Sequence, residues 1–184
     1  GSEVLLSRTG YTGELGFEVL GAHNIIIEVW KKMMELGVAP CGLAVRDILR
    51  LEMQYCLYGN DIDETTTPLE AGLNWILKLD LKDFVGKESL LNQKNNGVQK
   101  KLVCLEMIDK CIPRKGYDIY CGEDVVGKVT SGTFSLGMKK GIGMCYIASD
   151  FYKKDLEVFL DIRGNLKKGK LSKSPFINNT TLYD

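Results

Sequence analysis

The chain has 184 residues, of which 45% are hydrophobic and 26% charged, and its formal net charge is zero. This composition is typical of a globular protein that buries a substantial core. No run approaches the roughly 18 consecutive apolar residues of a membrane-spanning helix, and the N-terminus lacks a signal-peptide pattern, so the sequence predicts no membrane partner.

The first 20 residues predict two strands joined by a glycine-rich segment. The strands are expected at Glu3 to Arg8 and Leu15 to Leu20, and Glu18 alternates with apolar neighbours, which points its side chain to the opposite face. Glycine occurs at every third position from Gly10 to Gly16. That spacing fits a loop whose backbone approaches a ligand, or a tight turn with positive φ angles, and the glycines alone favour the turn.

The next residues predict two helices of different character. Ala22 to Leu36 carries apolar residues at helical spacing, and Gly37 follows as a stop signal. A second helix, from Gly42 to about Met53, is apolar on more than one face, which is typical of a buried helix. Buried charges need partners or ligands, because an isolated one costs several kcal/mol. Yet this helix carries four charged residues: Arg46, Asp47, Arg50 and Glu52.

An acidic loop and a helix start follow. The loop contains Asp61, Asp63 and Glu64, but the further ligands of a calcium loop are missing, so a solvated or interdomain loop is favoured over a cation site. Thr67 and Glu70 have the spacing of a capping box, with proline at the first helical position. They predict the start of a short helix.

The end of the first region is predicted from three consecutive segments. Asn74 to Lys78 is expected as a buried strand, and Phe84 to Leu91 as a helix. The polar stretch from Asn92 to Gly97 is expected as a boundary between a domain of residues 1–96 and a domain of residues 97–184.

The second region is rich in β-forming residues separated by turn signals. Because it has almost no helical periodicity, it predicts a small antiparallel barrel or sandwich, and the fold class is therefore α+β followed by all-β. The six expected strands are Lys101–Ile108, Tyr117–Cys121, Val125–Thr130, Gly143–Ile147, Leu156–Ile162 and Gly169–Ser172.

Charge is distributed unequally between the two regions. Residues 1–96 hold 9 basic and 14 acidic side chains, a net charge of −5, whereas residues 97–184 hold 15 and 10, a net charge of +5. The asymmetry fits a basic docking face for an acidic partner, but an ordinary solvated surface is favoured.

Several classes of chemistry lack the residues they require. His23 is the only histidine and no ligand cluster accompanies it, so neither a catalytic triad nor a metal site is predicted. The six cysteines form no C-x-x-C pair, and most lie in apolar runs, which indicates buried free thiols in a reducing compartment. Dispersed lysines without an aromatic nucleotide-binding pattern predict no nucleic-acid partner.

A polar set within apolar surroundings remains as the candidate site: Tyr11, Glu18, Arg46 and Arg50. A strand carboxylate can accept two hydrogen bonds from the amidine-like edge of a pterin or guanine, while an arginine holds an anionic or carbonyl group. The alternative is internal pairing, either Glu18 with Arg46 or Arg50 with Asp47, without any ligand. The residue chemistry alone slightly favours internal pairing.

Six motifs occur in the chain in a fixed order: Arg8–Glu18, Gly42–Glu52, Leu57–Leu73, Phe84–Glu88, Val129–Gly132 and Lys173–Phe176. They run nearly from end to end of the chain, and the three long motifs in particular are specific. Together they resemble the T-protein family of the glycine cleavage system, the tetrahydrofolate-dependent aminomethyltransferases.

The resemblance implies a three-domain arrangement around a folate channel, with a partial folate-binding, ferredoxin-like α+β region followed by a β-barrel. It implies transfer of a one-carbon unit from the aminomethyl-lipoyl arm of H-protein to tetrahydrofolate, with release of ammonia, in a bacterial cytoplasm or mitochondrial matrix. Residue by residue, it makes Glu18 the pterin contact, Arg46 a folate contact and Tyr11 part of the channel lining.

One feature of the family has no match here. The family's catalytic aspartate precedes the first motif, and Gly1-Ser2 resembles a cloning remnant, so we expect a fragment that lacks the upstream half and is inactive alone. Two other interpretations stay open. One is a folate-binding paralogue, such as a tRNA-modifying protein or the folate half of a sarcosine or dimethylglycine dehydrogenase; the other is a non-catalytic scaffold.

Overall fold

The computed structural model describes residues 3–81, 83–172 and 175–182. Within them the chain forms an α+β region followed by a closed, six-stranded antiparallel barrel, which confirms the predicted fold class and selects a barrel over a sandwich. Gly1 and Ser2 lie outside the described residues, as do Lys173 and Ser174 of the last motif.

Two short antiparallel strands open the α+β region. Strand β1 spans Val4–Ser7 and β2 spans Glu18–Gly21, with Ser7 opposite Glu18. The predicted start of β2 at Leu15 is wrong, because the N–H of Leu15 donates to Thr181 Oγ1 at 2.9 Å. Residues 8–17, hereafter the glycine-rich segment, therefore form an irregular connection rather than a tight hairpin.

Two helices follow the strands close to their predicted positions. Helix α1 spans His23–Glu35 and ends before Gly37, which has a φ of 81°. Helix α2 spans Leu43–Glu52. The expectation of a wholly buried α2 is wrong, since its first residue, Leu43, is 81% exposed and only its last turn is buried. The helix therefore runs from solvent into the core.

The capping box forms without a helix behind it. The N–H of Thr67 donates to Glu70 Oε2 at 3.0 Å, and the N–H of Glu70 donates to Thr67 Oγ1 at 3.2 Å. The chain then makes a single turn and enters a 3₁₀ helix at Asn74–Ile76, where a strand was predicted wrongly. Gly72, at a φ of 73°, interrupts the helical path.

Helix α3 spans Lys87–Asn96, later at both ends than the predicted Phe84 to Leu91. Two glycines in positive-φ conformations set these limits, Gly86 at 91° before the helix and Gly97 at 85° after it. The polar stretch expected as a domain boundary is thus mostly the last turns of α3. The boundary itself stays a prediction.

The barrel uses every strand expected in the second region, and several are longer than predicted. Their order around the barrel is β3-β6-β5-β4-β7-β8, closed by pairing of β8 with β3. The strands are β3 Lys100–Met107, β4 Asp118–Cys121, β5 Asp124–Ser135, β6 Lys140–Ala148, β7 Glu157–Ile162 and β8 Asn165–Ser172.

Alternate residues of the barrel strands face two different cores. Along β3, Val103 and Leu105 belong to the main barrel core, while Leu102 joins a second cluster. That second cluster includes Leu51 of α2 and Met144 of β6, so it fastens the helix to the outside of the barrel. Each fully buried side chain of this size contributes about 1.5–3 kcal/mol.

The six cysteines are free thiols in environments that differ widely. Cys104 and Cys145 are buried as predicted, and burial raises the pKa of both thiols. Cys41 is exposed, against the prediction of buried thiols. Among the described residues, no helix has the length and apolar character needed to cross a membrane.

A loop crosses the barrel where its strands carry glycines. The backbone between β3 and β4 lies so close that a Cβ atom on Gly132 would be 2.2 Å from the Pro113 carbonyl oxygen. A Cβ atom on Gly141 would be equally close to the Cys111 carbonyl oxygen. Only glycine leaves room for this crossing.

Replacing Gly132 by alanine is therefore expected to lower the free energy of unfolding by about 1–3 kcal/mol, the usual cost of overpacking. Urea denaturation measures the loss. Gly137→Ala is the matched control, because its Cβ atom would approach no atom closer than 3.9 Å and the change stays within about 1 kcal/mol. Equal losses in the two variants would contradict the close approach.

Candidate functional site

The three residues predicted to contact folate lie together in the structure. Glu18 opens β2, Arg46 lies on α2 and Tyr11 lies in the glycine-rich segment. Glu18 Oε1 is 3.7 Å from Arg46 Nη2, and the guanidinium carbon of Arg46 is 5.0 Å from the centroid of the Tyr11 ring. Three separate parts of the sequence thus converge on one group, hereafter the Glu18–Arg46–Tyr11 group.

The two charges of this group are open to solvent. The side chains of Glu18 and Arg46 are 42% and 48% exposed, and their 3.7 Å separation is longer than a good charge-assisted hydrogen bond. One carboxylate oxygen of Glu18 accepts the Thr9 hydroxyl at 2.6 Å. An exposed pair of this kind contributes about 1 kcal/mol or less to stability. Both side chains therefore keep unused hydrogen-bonding capacity.

Tyr11 is partly buried and is fixed through its hydroxyl. The hydroxyl donates to the backbone carbonyls of Cys56 and, at 3.3 Å, of Tyr55. Burial raises the pKa of Tyr11, so the hydroxyl stays protonated and acts as a donor at neutral pH. Its ring stacks on that of Tyr55 at 5.7 Å between centroids.

A cleft of about 710 Å³ adjoins this group and is lined partly by aromatic rings. Tyr11, Tyr55 and Trp75 are among its lining residues, and Trp75 is 73% exposed. Cys56 also lines the cleft, but burial raises the pKa of its thiol to about 11, so it is not a thiolate nucleophile at neutral pH. The cleft offers flat apolar surface rather than a reactive group.

Arg50, the fourth polar candidate, is buried and uses four of its five N–H donors within the protein. Its guanidinium contacts Asp61 Oδ2 at 2.8 Å, Asp47 Oδ1 at 2.8 Å and Ser131 Oγ at 2.9 Å. Burial alone lowers the pKa of Arg50, but the hydrogen bond to Asp47 and the charge of Asp61 raise it overall. Both internal pairs of the alternative are present, Arg50 with Asp47 at 2.8 Å and Glu18 with Arg46 at 3.7 Å, and the buried Arg50 is held by protein groups.

The buried arginine nevertheless acts on the exposed group through the backbone. The Tyr55 carbonyl accepts one hydrogen bond from Arg50 at 3.2 Å and another from the Tyr11 hydroxyl at 3.3 Å. Arg50 therefore fixes one of the two carbonyls that anchor the Tyr11 hydroxyl. The charges within α2 pointed to Arg50, but no sequence signal pointed to Tyr55 or to the contact with Ser131 of β5.

The acidic loop separates into a buried and an exposed part. Asp61 is buried and accepts hydrogen bonds from Arg50, Ser131 and Thr130. Asp63 is exposed, and hydrogen bonds from Thr65 lower the pKa of its carboxyl. In the part of the chain that the structure describes, no group of three or more His, Cys, Asp or Glu side chains is arranged to hold a metal ion.

Two family models match the chain in succession. The model described as the GCVT N-terminal domain matches residues 1–81, and the model described as the glycine cleavage T-protein C-terminal barrel domain matches residues 100–178. The second match coincides with the closed barrel.

Known proteins resemble the chain over most of its length. An aminomethyltransferase from Halothermothrix orenii is 48% identical over 181 residues, which cover 96% of this chain and 51% of that protein. One from Pseudothermotoga lettingae is 47% identical over 180 residues. The crystal structure of glycine cleavage system aminomethyltransferase T from Bartonella henselae superposes with a TM-score of 0.88 at 32% identity, over 94% of this chain and 49% of that one. The chain spans about half the length of the curated relatives it matches.

The buried arginine predicts unequal roles for its two carboxylate partners. Asp61→Asn is expected to lower the free energy of unfolding by about 3 kcal/mol, because it leaves a buried guanidinium without its main countercharge. Asp47→Asn makes the same chemical change on a side chain that is 47% exposed, and should cost about 1 kcal/mol or less. Comparable losses in urea denaturation would contradict this assignment.

Proposed function

The chain belongs to the glycine cleavage T-protein family, and on that premise we propose that the Glu18–Arg46–Tyr11 group binds tetrahydrofolate. The observation that carries the proposal is the convergence of a half-exposed carboxylate, a half-exposed guanidinium and an aromatic ring beside an aromatic-lined cleft. Each of the three has a complementary part on a reduced pterin linked to an aminobenzoyl-glutamate.

Glu18 supplies the polar recognition in this proposal. A carboxylate accepts two roughly parallel hydrogen bonds from the ring N–H and exocyclic amino group of a pterin, and such bonds to a charged group are worth about 1.5–3 kcal/mol each. The Thr9 hydroxyl, bound to Oε2, orients the carboxylate before the ligand arrives. That orientation reduces the entropy cost of binding.

Arg46 supplies hydrogen-bond donors for another part of the ligand, and Tyr11 supplies a flat surface. The guanidinium of Arg46 presents several donors in a plane, which suits a carbonyl or carboxylate oxygen of the ligand. The rings of Tyr11, Tyr55 and Trp75 offer stacking surface for the planar parts of folate. The Arg46 guanidinium already lies over the Tyr11 ring, so the two are mutually oriented.

For the whole protein we propose the aminomethyltransferase reaction of the glycine cleavage system. A one-carbon unit passes from the aminomethyl-lipoyl arm of H-protein to tetrahydrofolate, and ammonia is released. Tetrahydrofolate supplies the amine that accepts this unit. In this proposal the residues described here bind and orient the folate. None of them is proposed to take the role of the family's catalytic aspartate.

Lipoylated H-protein is the partner this proposal requires. The net charge of +5 in residues 97–184 supports an acidic partner surface, because opposite charges accelerate encounter. The positive charge therefore supports the barrel, in residues 97–184, as part of the surface that contacts H-protein.

Glu18→Ala in the complete protein is expected to weaken tetrahydrofolate binding at least about tenfold, because it removes two charge-assisted hydrogen bonds. Isothermal titration calorimetry measures the affinity. Glu35→Ala is the matched control, since Glu35 is also an exposed glutamate in an ion pair, with Lys32 on α1. An unchanged affinity in Glu18→Ala would refute the assignment of Glu18 to the ligand.

Association with lipoylated H-protein is expected to weaken several-fold when ionic strength rises from about 0.05 to 0.3 M, because salt screens the net positive charge of residues 97–184. Surface-captured H-protein, with and without the lipoyl group, measures the dissociation constant. Binding that is absent, or indifferent to both salt and lipoylation, would contradict this partner and favour a folate-binding paralogue.

A further inference from the structure

The C-terminal tail is hydrogen-bonded to the glycine-rich segment that carries Tyr11. The backbone N–H and the hydroxyl of Thr181 both donate to Glu14 Oε2, the former at 3.0 Å. In return, the Thr181 hydroxyl accepts the N–H of Leu15 at 2.9 Å. More than 160 residues of sequence separate the two sides of this contact.

We propose that Thr181 and Glu14 are positioning residues for the folate site. By tying the tail to the glycine-rich segment, they hold this segment in the conformation that sets the Tyr11 ring beside Arg46. The identity of the ligand rests on the proposed function, whereas the positioning of the Tyr11 ring by this contact does not.

The glycine-rich segment needs such support because it has no regular structure of its own. It connects β1 to β2 through bends, and its internal side-chain contacts are few: Arg8 Nη1 donates to the Gly16 carbonyl at 2.9 Å, the Arg8 guanidinium lies over the Phe17 ring, and the Glu14 N–H donates to Thr12 Oγ1 at 3.4 Å. Glycine adds backbone freedom that must be lost on ordering. Gly13 also sits against Met53 so closely that a Cβ atom would lie 2.4 Å from the Met53 Cγ.

The tail is itself anchored firmly before it reaches the segment. The N–H of Phe176 donates to the Glu52 carbonyl, the last residue of α2, at 3.0 Å. Phe176 also packs against the cluster that joins α2 to the barrel, and Thr180 is buried. The tail therefore connects α2, which carries Arg46, to the segment that carries Tyr11.

The charge state of Glu14 suits its role as a double acceptor. Hydrogen bonds from the side chain and the backbone of Thr181 lower the pKa of the Glu14 carboxyl, so it is ionised at neutral pH and only accepts. Beyond Thr181, Leu182 lines a cavity of about 200 Å³ together with Gly13 and Tyr55. Tyr55 also stacks on Tyr11, so the tail and one ring of the aromatic pair border the same cavity.

The first experiment measures the contact without any ligand. Thr181→Val keeps the shape of the side chain but removes the hydroxyl, so the Leu15 amide should exchange with solvent deuterium about three- to tenfold faster. Thr181→Ser restores the hydroxyl and should restore slow exchange. Thr65→Val is the matched control, because it removes an exposed threonine hydroxyl that bonds to Asp63 instead.

The second experiment measures tetrahydrofolate affinity in the complete protein. Thr181→Val should weaken binding about three- to tenfold, while Thr181→Ser and Thr65→Val remain at the level of the unchanged protein. A Leu15 amide whose exchange is unaffected by Thr181→Val would overturn the positioning role.

Faster exchange combined with unchanged folate affinity would also overturn it, because the segment would then move without consequence for the ligand. Failure of the unchanged protein to bind tetrahydrofolate would instead overturn the proposed function and the ligand assigned here. The exchange measurement separates these two failures, since it requires no folate.

Discussion

The buried ion pair between Arg50 and Asp61 is the interaction on which the rest of the structure depends. Two charges removed from water carry a desolvation penalty that only excellent geometry offsets. Here the Arg50 guanidinium donates hydrogen bonds to Asp61 and Asp47 at 2.8 Å each. It also donates to the Ser131 hydroxyl and to the Tyr55 carbonyl. These partners come from α2, the segment that follows it, the acidic loop and β5, so satisfying one side chain fixes four parts of the chain relative to each other.

Helix α2 carries both this buried pair and the exposed candidate site. Arg46 and Arg50 are four residues apart and hence lie on the same side of the helix, one turn from each other. The helix axis passes from solvent into the seam with the barrel, so one arginine is half-exposed and the other is buried. The same helix face thus carries the proposed ligand contact at one end and a structural anchor at the other.

The end of α2 is also where the C-terminal tail joins the seam. Glu52 is buried, accepts the Ser135 hydroxyl through its side chain and accepts the Phe176 N–H through its carbonyl. The barrel, the helix and the tail meet at this one residue. Arg46, the proposed folate contact on α2, therefore lies on a helix whose far end is held by buried polar bonds.

The sequence by itself determined the elements whose signals are local. Alternation and turn residues predicted all six barrel strands, and the spacing of Thr67 and Glu70 predicted a capping box that forms. The charges in α2 and the chain motifs selected Glu18, Arg46 and Tyr11 as candidates, and the structure brings these together.

Tertiary structure decided what depends on partners distant in sequence. Leu15 is not part of β2, and its N–H donates to Thr181 Oγ1 instead of to a neighbouring strand. The residues from Asn74 form a 3₁₀ helix where a strand was expected. Asp61 was expected in a solvated or interdomain loop, but its burial beside Arg50 depends on hydroxyls of Thr130 and Ser131 in β5. Local pattern carries no information about such contacts, because their free energy exists only once the chain has brought both partners together.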